Sequence, residues 1–285
     1  MDTKKTLLYG LGMTAAALPV MGYALSTAFR IRHEMVFFNN LPSHLTGLRI
    51  LHITDLHCRY PDKMHSNIWP VLLTLDFDMV VLTGDVILND ITQLKPHLEG
   101  LKALAEKAPV FFVDGNHERM CYDEVAKLFE SLGIKPLYNQ RGDFEVGGTH
   151  RKQTQLLSVA GFRDYYYLKS KGFNELAPLL RDLSSNGDFH IILSHQPQIF
   201  DLLRKENLAF SALVLAGHTH GGQLRLPFLP TLYAPGQGVL PHYGEGWYHS
   251  GNLKLYISRG VGATHFHIRL FNPPEVAVIE LQKEG

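Results

Sequence analysis

Phe210-Ser211-Ala212-Leu213-Val214-Leu215-Ala216-Gly217-His218-Thr219-His220-Gly221-Gly222 is an apolar run that ends in two imidazoles and two glycines. An apolar run of this length, broken only by Ser211, reads as a buried strand. The histidines stand two residues apart where the strand ends, before glycines that let the chain turn, so both rings can enter one pocket. Neutral imidazole is the commonest nitrogen ligand of transition metals. In a chain with 16 histidines, however, a lone His-x-His pair is more often a surface feature. Its meaning depends on whether other strand ends supply the missing ligands.

Four do. Residues 48–53 read as a strand that runs into Thr54-Asp55-Leu56-His57, a carboxylate and an imidazole spaced to chelate one ion. Residues 79–82 run into Thr83-Gly84-Asp85, where a carboxylate with two oxygens can bridge two ions. Val110–Val113 runs into Asp114-Gly115-Asn116-His117-Glu118, offering a neutral amide oxygen from Asn116 and a proton carrier in His117. Residues 190–193 run into Ser194-His195-Gln196-Pro197. His52, inside its strand, reads as structural.

Helical segments separate these strands, at about 66–75, 91–107, 122–132, 174–183 and up to Leu203. In the second of them Leu94, Leu98, Leu101 and Leu104 recur at spacings of three and four, and Pro96 places its start nearby. Alternation of strand and helix is an α/β pattern, and such sheets gather ligands beyond the carboxyl ends of their strands. Residues 142–160 read as a hairpin turning at Gly147-Gly148, and strands at 253–258 and 275–281 are expected to close a second sheet. Residues 222–246 form a long loop on the side of the candidate site. In it Val239-Leu240-Pro241, followed by Trp247, are candidates for a substrate wall.

Composition bounds the rest. With 285 residues, 45% of them apolar, the chain can bury one large core or two small ones. Its net charge of zero supplies no field for nucleic acid, so a nuclease ranks low and nucleic acid is not an expected partner. Cys58 and Cys121 are too few for a disulfide framework or a thiolate zinc site. After Lys4-Lys5, residues 7–29 carry no Asp, Glu, Lys or Arg, enough to span ~30 Å of hydrocarbon. A transmembrane anchor, a cleaved signal peptide and a buried helix all fit this stretch. The expectation is a membrane-associated protein with an anchor or signal-like segment at 1–33 and a folded domain at 34–285. Cations flank both ends of the stretch, at Lys4-Lys5 and at Arg30 and Arg32, so the membrane face is undetermined.

Asp55-x-His57, Gly84-Asp85, Gly115-Asn116-His117-Glu118, His195 and Gly217-His218-x-His220 stand in the order of the calcineurin-like metallophosphoesterases, which the chain resembles over most of its length. Gly221-Gly222-Gln223, Ser258-Arg259-Gly260-Val261-Gly262 and Asn272-Pro273-Pro274-Glu275 are similar to the membrane-associated bacterial phosphodiesterase branch of that family. The resemblance implies an α/β fold, a four-layer α/β/β/α sandwich, here preceded by an N-terminal apolar helix. It implies two divalent metal ions per chain (Mn, Fe, Zn or Co). Asp55, His57 and His220 would hold the first, Asn116, His195 and His218 the second, and Asp85 would bridge them. His117 would act as general acid or phosphate clamp. The implied reaction is hydrolysis of a phosphodiester by in-line attack of a metal-activated hydroxide on phosphorus. The substrate would be a phosphoester that is lipid-linked in one version, and the membrane a partner through the N-terminal segment. Two alternatives stay open: a pyrophosphatase acting on a nucleotide-linked lipid precursor of the UDP-diacylglucosamine type, and a metal-binding scaffold without catalysis. One position departs from the family, whose second motif reads Gly-Asp-x-x-Asp. Here Leu88 takes the last place, and Asp90 is the nearest acid that could compensate.

Overall fold

The computed structural model describes residues 29–58, 68–146, 155–185, 189–205, 210–222, 225, 229, 231–262 and 269–285. Two six-stranded sheets dominate them. The first contains β1 (Arg30–Phe38), β2 (Arg49–Ile53), β3 (Met79–Thr83), β4 (Val110–Val113), β5 (Ile134–Pro136) and β14 (Glu275–Lys283), in the order β1-β14-β2-β3-β4-β5. The second contains β6 (Gln140–Val146), β7 (Gln155–Gly161), β8 (Phe189–Leu193), β9 (Ser211–Ala216), β12 (Gly246–Ser250) and β13 (Leu253–Ile257), in the order β12-β13-β9-β8-β7-β6. A small hairpin pairs β10 (Tyr233–Ala234) with β11 (Gly238–Val239).

Strand alternation divides the core into layers. In β3, Met79 and Val81 point inward with Phe111 and Val113 of β4. They meet Ile191 and Leu193 of β8 and Leu213 and Leu215 of β9 between the sheets. Val80 and Leu82 point the other way, onto α1 (Ile68–Leu73), α2 (Leu98–Lys107) and α3 (Tyr122–Ser131). On the far side of the second sheet Ile192, Val214 and Ala216 pack under α4 (Tyr165–Lys171), α5 (Ala177–Ser185) and α6 (Ile199–Lys205). The order helix, sheet, sheet, helix follows from strands apolar on both faces, each fully buried aliphatic side chain contributing roughly 1.5–3 kcal/mol.

β2, β3 and β4 run parallel, as do β7, β8, β9 and β13. Their carboxyl ends converge on one edge, where all five ligand-bearing loops lie.

Five expectations need correction or placement. The strand at 275–281 does not close the second sheet. β14 lies in the first, antiparallel to β2 and parallel to β1. β1 itself starts at Arg30, ahead of Glu34, because it docks beside β14 as the sheet's outer strand. The helix after Ile91 opens as a 3-10 turn (Ile91–His97), and α2 begins only at Leu98, past Pro96. The expected N-terminal apolar helix falls on residues outside the described ones, as does the Gly147-Gly148 turn. No helix among the described residues is long and apolar enough to cross a membrane.

Candidate metal centre

Three of the five ligand-bearing loops leave their strands through a sharp reversal. Asp55, His57, Asp85, His218 and His220 adopt φ of 52°, 45°, 50°, 70° and 51°. They are five of the eight described non-glycine residues with positive φ. That region is unfavourable for side chains with a Cβ, at about 1–3 kcal/mol each, and its concentration on these five marks backbone held for a purpose. Glycines make the reversals fit. A Cβ on Gly84 would stand 2.6 Å from the Gly115 amide and 2.8 Å from His195 Nδ1, and one on Gly260 would stand 2.6 Å from Asp55 Cβ.

Two main clusters result, Asp55 with His57 and His220, and Asp85 with His195 and His218, and a third group of His57, Asp85 and His117 lies across them. In the first, Asp55 Oδ1 lies 3.3 Å from His220 Nε2 and 3.8 Å from His57 Nε2, and the two Nε2 atoms are 3.1 Å apart. In the second, Asp85 Oδ2 lies 3.0 Å from His195 Nε2, which lies 3.2 Å from His218 Nδ1. Asp85 Oδ2 also stands 3.8 Å from His57 Nε2, so one oxygen faces both clusters.

Surrounding groups fix which atoms face inward. Thr54 Oγ1–H and the His218 amide donate to Asp55 Oδ2, at 2.8 and 3.0 Å. Oδ1 is left buried without a hydrogen bond, aimed at the two imidazoles. His195 donates Nδ1–H to the Thr83 carbonyl at 2.8 Å, which presents Nε2 to the site. The His117 amide holds Asp85 Oδ1 at 3.0 Å. Glu118, fully buried, accepts from the amides of Asp85, Ile87 and Gly115 at 2.9, 3.1 and 2.7 Å. It thereby ties the β3 loop to the β4 loop.

The electrostatics suit a cation. Burial raises the Asp55 carboxyl to about 6 and lowers His57 and His218 to about 3. Burial opposes the charged forms of His195 and Asp85 as well, yet their mutual contact holds His195 at about 10 and Asp85 below the usual carboxylate range. Two carboxylates taken this far from water cost several kcal/mol each unless positive charge sits beside them. Ligand atoms held ~2.0–2.2 Å from one ion are roughly 3–3.6 Å apart, and most of the separations above fall in that range. An orphaned carboxylate oxygen on Asp55, a His195 Nε2 freed by its Nδ1–H bond to Thr83 and imidazole donors without a thiolate fit a divalent metal of the Mn, Fe, Zn or Co group.

Residues 48–222 match the family profile described as calcineurin-like phosphoesterase. The chain belongs to the calcineurin-like phosphoesterases. Phosphodiesterase YaeI of Escherichia coli (strain K12) is 31% identical over 258 residues, covering 88% of this chain and 87% of that protein. Two Bacillus subtilis (strain 168) relatives, the uncharacterised metallophosphoesterases YkoQ and YkuE, are 27% and 30% identical. YkoQ aligns over 80% of this chain and 82% of its own length, YkuE over 85% and 82%.

Leu88 serves the site through its main chain, which its side chain does not decide. His117 Nδ1–H donates to the main-chain carbonyl of Leu88 at 2.5 Å, turning Nε2 toward the site, 3.9 Å from Asp85 Oδ2. Asp90 does not take the missing acid's place. It is exposed and caps the 3-10 turn by accepting from the Thr92 amide at 2.8 Å. Asn116 is half-buried, and its Oδ1 accepts from Gln196 Nε2 at 3.4 Å. His52 is buried in the core against Thr83 Oγ1, 2.7 Å away. Trp247 packs against Tyr256 and donates to Glu34, so it forms no substrate wall, and Val239 and Leu240 are exposed.

Three supporting residues carried no signal in the sequence. The Thr83 carbonyl is an atom that any strand end offers, and the Thr54 hydroxyl acts on the neighbouring Asp55, a pairing that no motif spacing marks. Arg269 lies 49 positions from its partner, yet its guanidinium is buried with Nη2 3.4 Å from His220 Nδ1, and burial lowers it to about 10.

Proposed function

We propose that the chain is a binuclear metal-dependent phosphodiesterase. The observation that carries this reading is Asp85 Oδ2, a single carboxylate oxygen facing both imidazole clusters. Asp55, His57 and His220 would hold one divalent cation, His195, His218 and Asn116 the other, with Asp85 between them. Bound there, the pair supplies Lewis acidity to a phosphoryl oxygen and to the attacking water. The protein's own part is to orient and to move protons. Thr54, the Thr83 carbonyl and Glu118 hold the ligands in place. The Leu88 carbonyl fixes His117 so that Nε2, on the open side of the site, can give a proton to the departing ester oxygen. Such a positioned acid is worth ~10²–10⁴ in rate. The family makes phosphoester hydrolysis the class of reaction, and the name of the 31% identical YaeI favours a diester as substrate.

The test compares bis-p-nitrophenyl phosphate with p-nitrophenyl phosphate on metal-stripped protein reloaded separately with Mn²⁺, Zn²⁺ or Fe²⁺. Diester turnover that requires metal and vanishes in Asp85→Asn is expected. Turnover of the monoester alone would make the protein a phosphomonoesterase. No turnover of either with both sites filled would favour the scaffold.

A further inference from the structure

β1 enters the fold at a telling place. β14 runs antiparallel to β2, so its first residue, Glu275, lies level with the carboxyl end of β2. β1 runs parallel to β14 with Arg30 opposite Glu275. The uncharged stretch from Thr6 to Phe29 therefore joins the fold at the edge that carries the metal centre, not at the opposite one. Glu275 ties this point to the site, because its amide donates to the Gly260 carbonyl and Gly260 packs on Asp55.

The same edge exposes apolar side chains that the fold gains nothing by exposing. Met120, three residues past His117, is 92% exposed. In the hairpin formed by β10 and β11, Tyr233 is 53%, Val239 77% and the following Leu240 68% exposed. Leu240 is also held at φ 51°, an unfavourable conformation for leucine. The hairpin turn lies over the second cluster, since a Cβ on Gly236 would stand 3.4 Å from His218 Nε2. Apolar residues gathered at the rim of a polar site, on the edge where an uncharged stretch of membrane-spanning length joins the chain, have one common solvent.

We propose that this edge docks on a lipid bilayer. Residues 6–29 hold the chain to the membrane, the hairpin tip and Met120 sit among the lipid headgroups, and the metal centre faces the surface. The substrate class follows, on the phosphodiesterase reading above. It is a phosphoester of an amphiphile anchored in that bilayer, its ester presented at headgroup level.

The test uses the full-length chain on vesicles of phosphatidylethanolamine and phosphatidylglycerol that contain brominated phospholipid. Tryptophan is introduced at the site edge (Leu240→Trp, with Val239→Trp as a second variant should the first misfold). A control tryptophan is placed at Leu156, exposed near the start of β7 at the opposite edge. Native Trp69 and Trp247 set the baseline. Quenching of the site-edge tryptophan, with none at Leu156→Trp, is expected. Equal quenching at both edges, quenching only at Leu156→Trp, or failure to bind the vesicles would overturn the proposal. A paired assay separates it from the reaction. Val239→Ser combined with Leu240→Ser is expected to turn over soluble bis-p-nitrophenyl phosphate as the parent does. It should lose roughly tenfold or more on vesicle-borne p-nitrophenyl hexadecyl phosphate, as two fewer buried apolar side chains would give. An equal loss on both, or on neither, would contradict docking. Absence of diester turnover with site-edge quenching intact would remove the phosphodiesterase reading and leave docking standing.

Discussion

Asp55 shows how single atoms are assigned in this site. Two donors hold Oδ2, and Oδ1 is left bare toward His57 and His220. Removing one donor in Thr54→Val should therefore loosen the first cluster without touching a ligand. The expected cost is ~10–100-fold in metal affinity, the usual penalty for losing such a support. Chelator-buffered titration would measure it, and unchanged affinity would mean that Asp55 is oriented by the backbone alone. His117 is expected to behave in the opposite way. His117→Ala should keep both ions, measured by elemental analysis, yet lower kcat by ~10²–10⁴ on a diester with a poor leaving group. A much smaller loss with p-nitrophenolate as leaving group, which scarcely needs a proton, would locate the defect in protonation.

At the scale of elements, the strand ends carry the site and were legible for that reason. Each ligand loop follows a short apolar run, and a carboxylate or imidazole just past such a run can point only toward the sheet edge. The strained loops exist because neighbouring glycines clear the space. Gly84→Ala combines a positive φ of 85° with a collision against the Gly115 amide and His195. It should cost more than about 2 kcal/mol in urea unfolding and lower metal affinity as well. A near-native midpoint would show that the two loops can part without harm. What stayed illegible lies in pairing between distant segments. β14 reads as a strand anywhere, but nothing local says that it inserts between β1 and β2 in the other sheet. β1 was hidden because its outward residues include Met35 and Phe37, which blur the alternation expected of an edge strand. The role of the Leu88 carbonyl was equally invisible, since a backbone acceptor leaves no trace in residue identity.

The whole molecule places its titratable groups between two apolar layers, and its pH response follows. His52, His57 and His218 are each lowered to about 3 by burial, from an ordinary value of 6.5. Each of these rings takes up a proton in the unfolded chain below pH 6.5 that the folded metal-free chain refuses, and so lowers stability as pH drops through that range, while burial that raises the Asp55 and Asp114 carboxyls to about 6 works in the opposite direction. His52 alone should contribute on the order of 1 kcal/mol of loss per pH unit below its ordinary value. Urea midpoints of metal-free parent and His52→Gln at mildly alkaline and mildly acidic pH would isolate that share, the parent losing more stability on acidification than the variant. An equal change in both would mean that the His52 ring is protonated in the folded state. The two sheets matter most for what they bring together. Asp55, His57 and Asp85 come from the first, and His195, His218 and His220 from the second, so neither sheet holds a complete centre. Metal-stripped full-length protein titrated with Mn²⁺ tests that pairing most directly, counting bound ions while recording their electron paramagnetic resonance. Two ions per chain with a spin-coupled signal, lost in Asp85→Asn, are expected from a centre joined through one carboxylate. A single ion, or two that remain uncoupled and indifferent to Asp85→Asn, would contradict it.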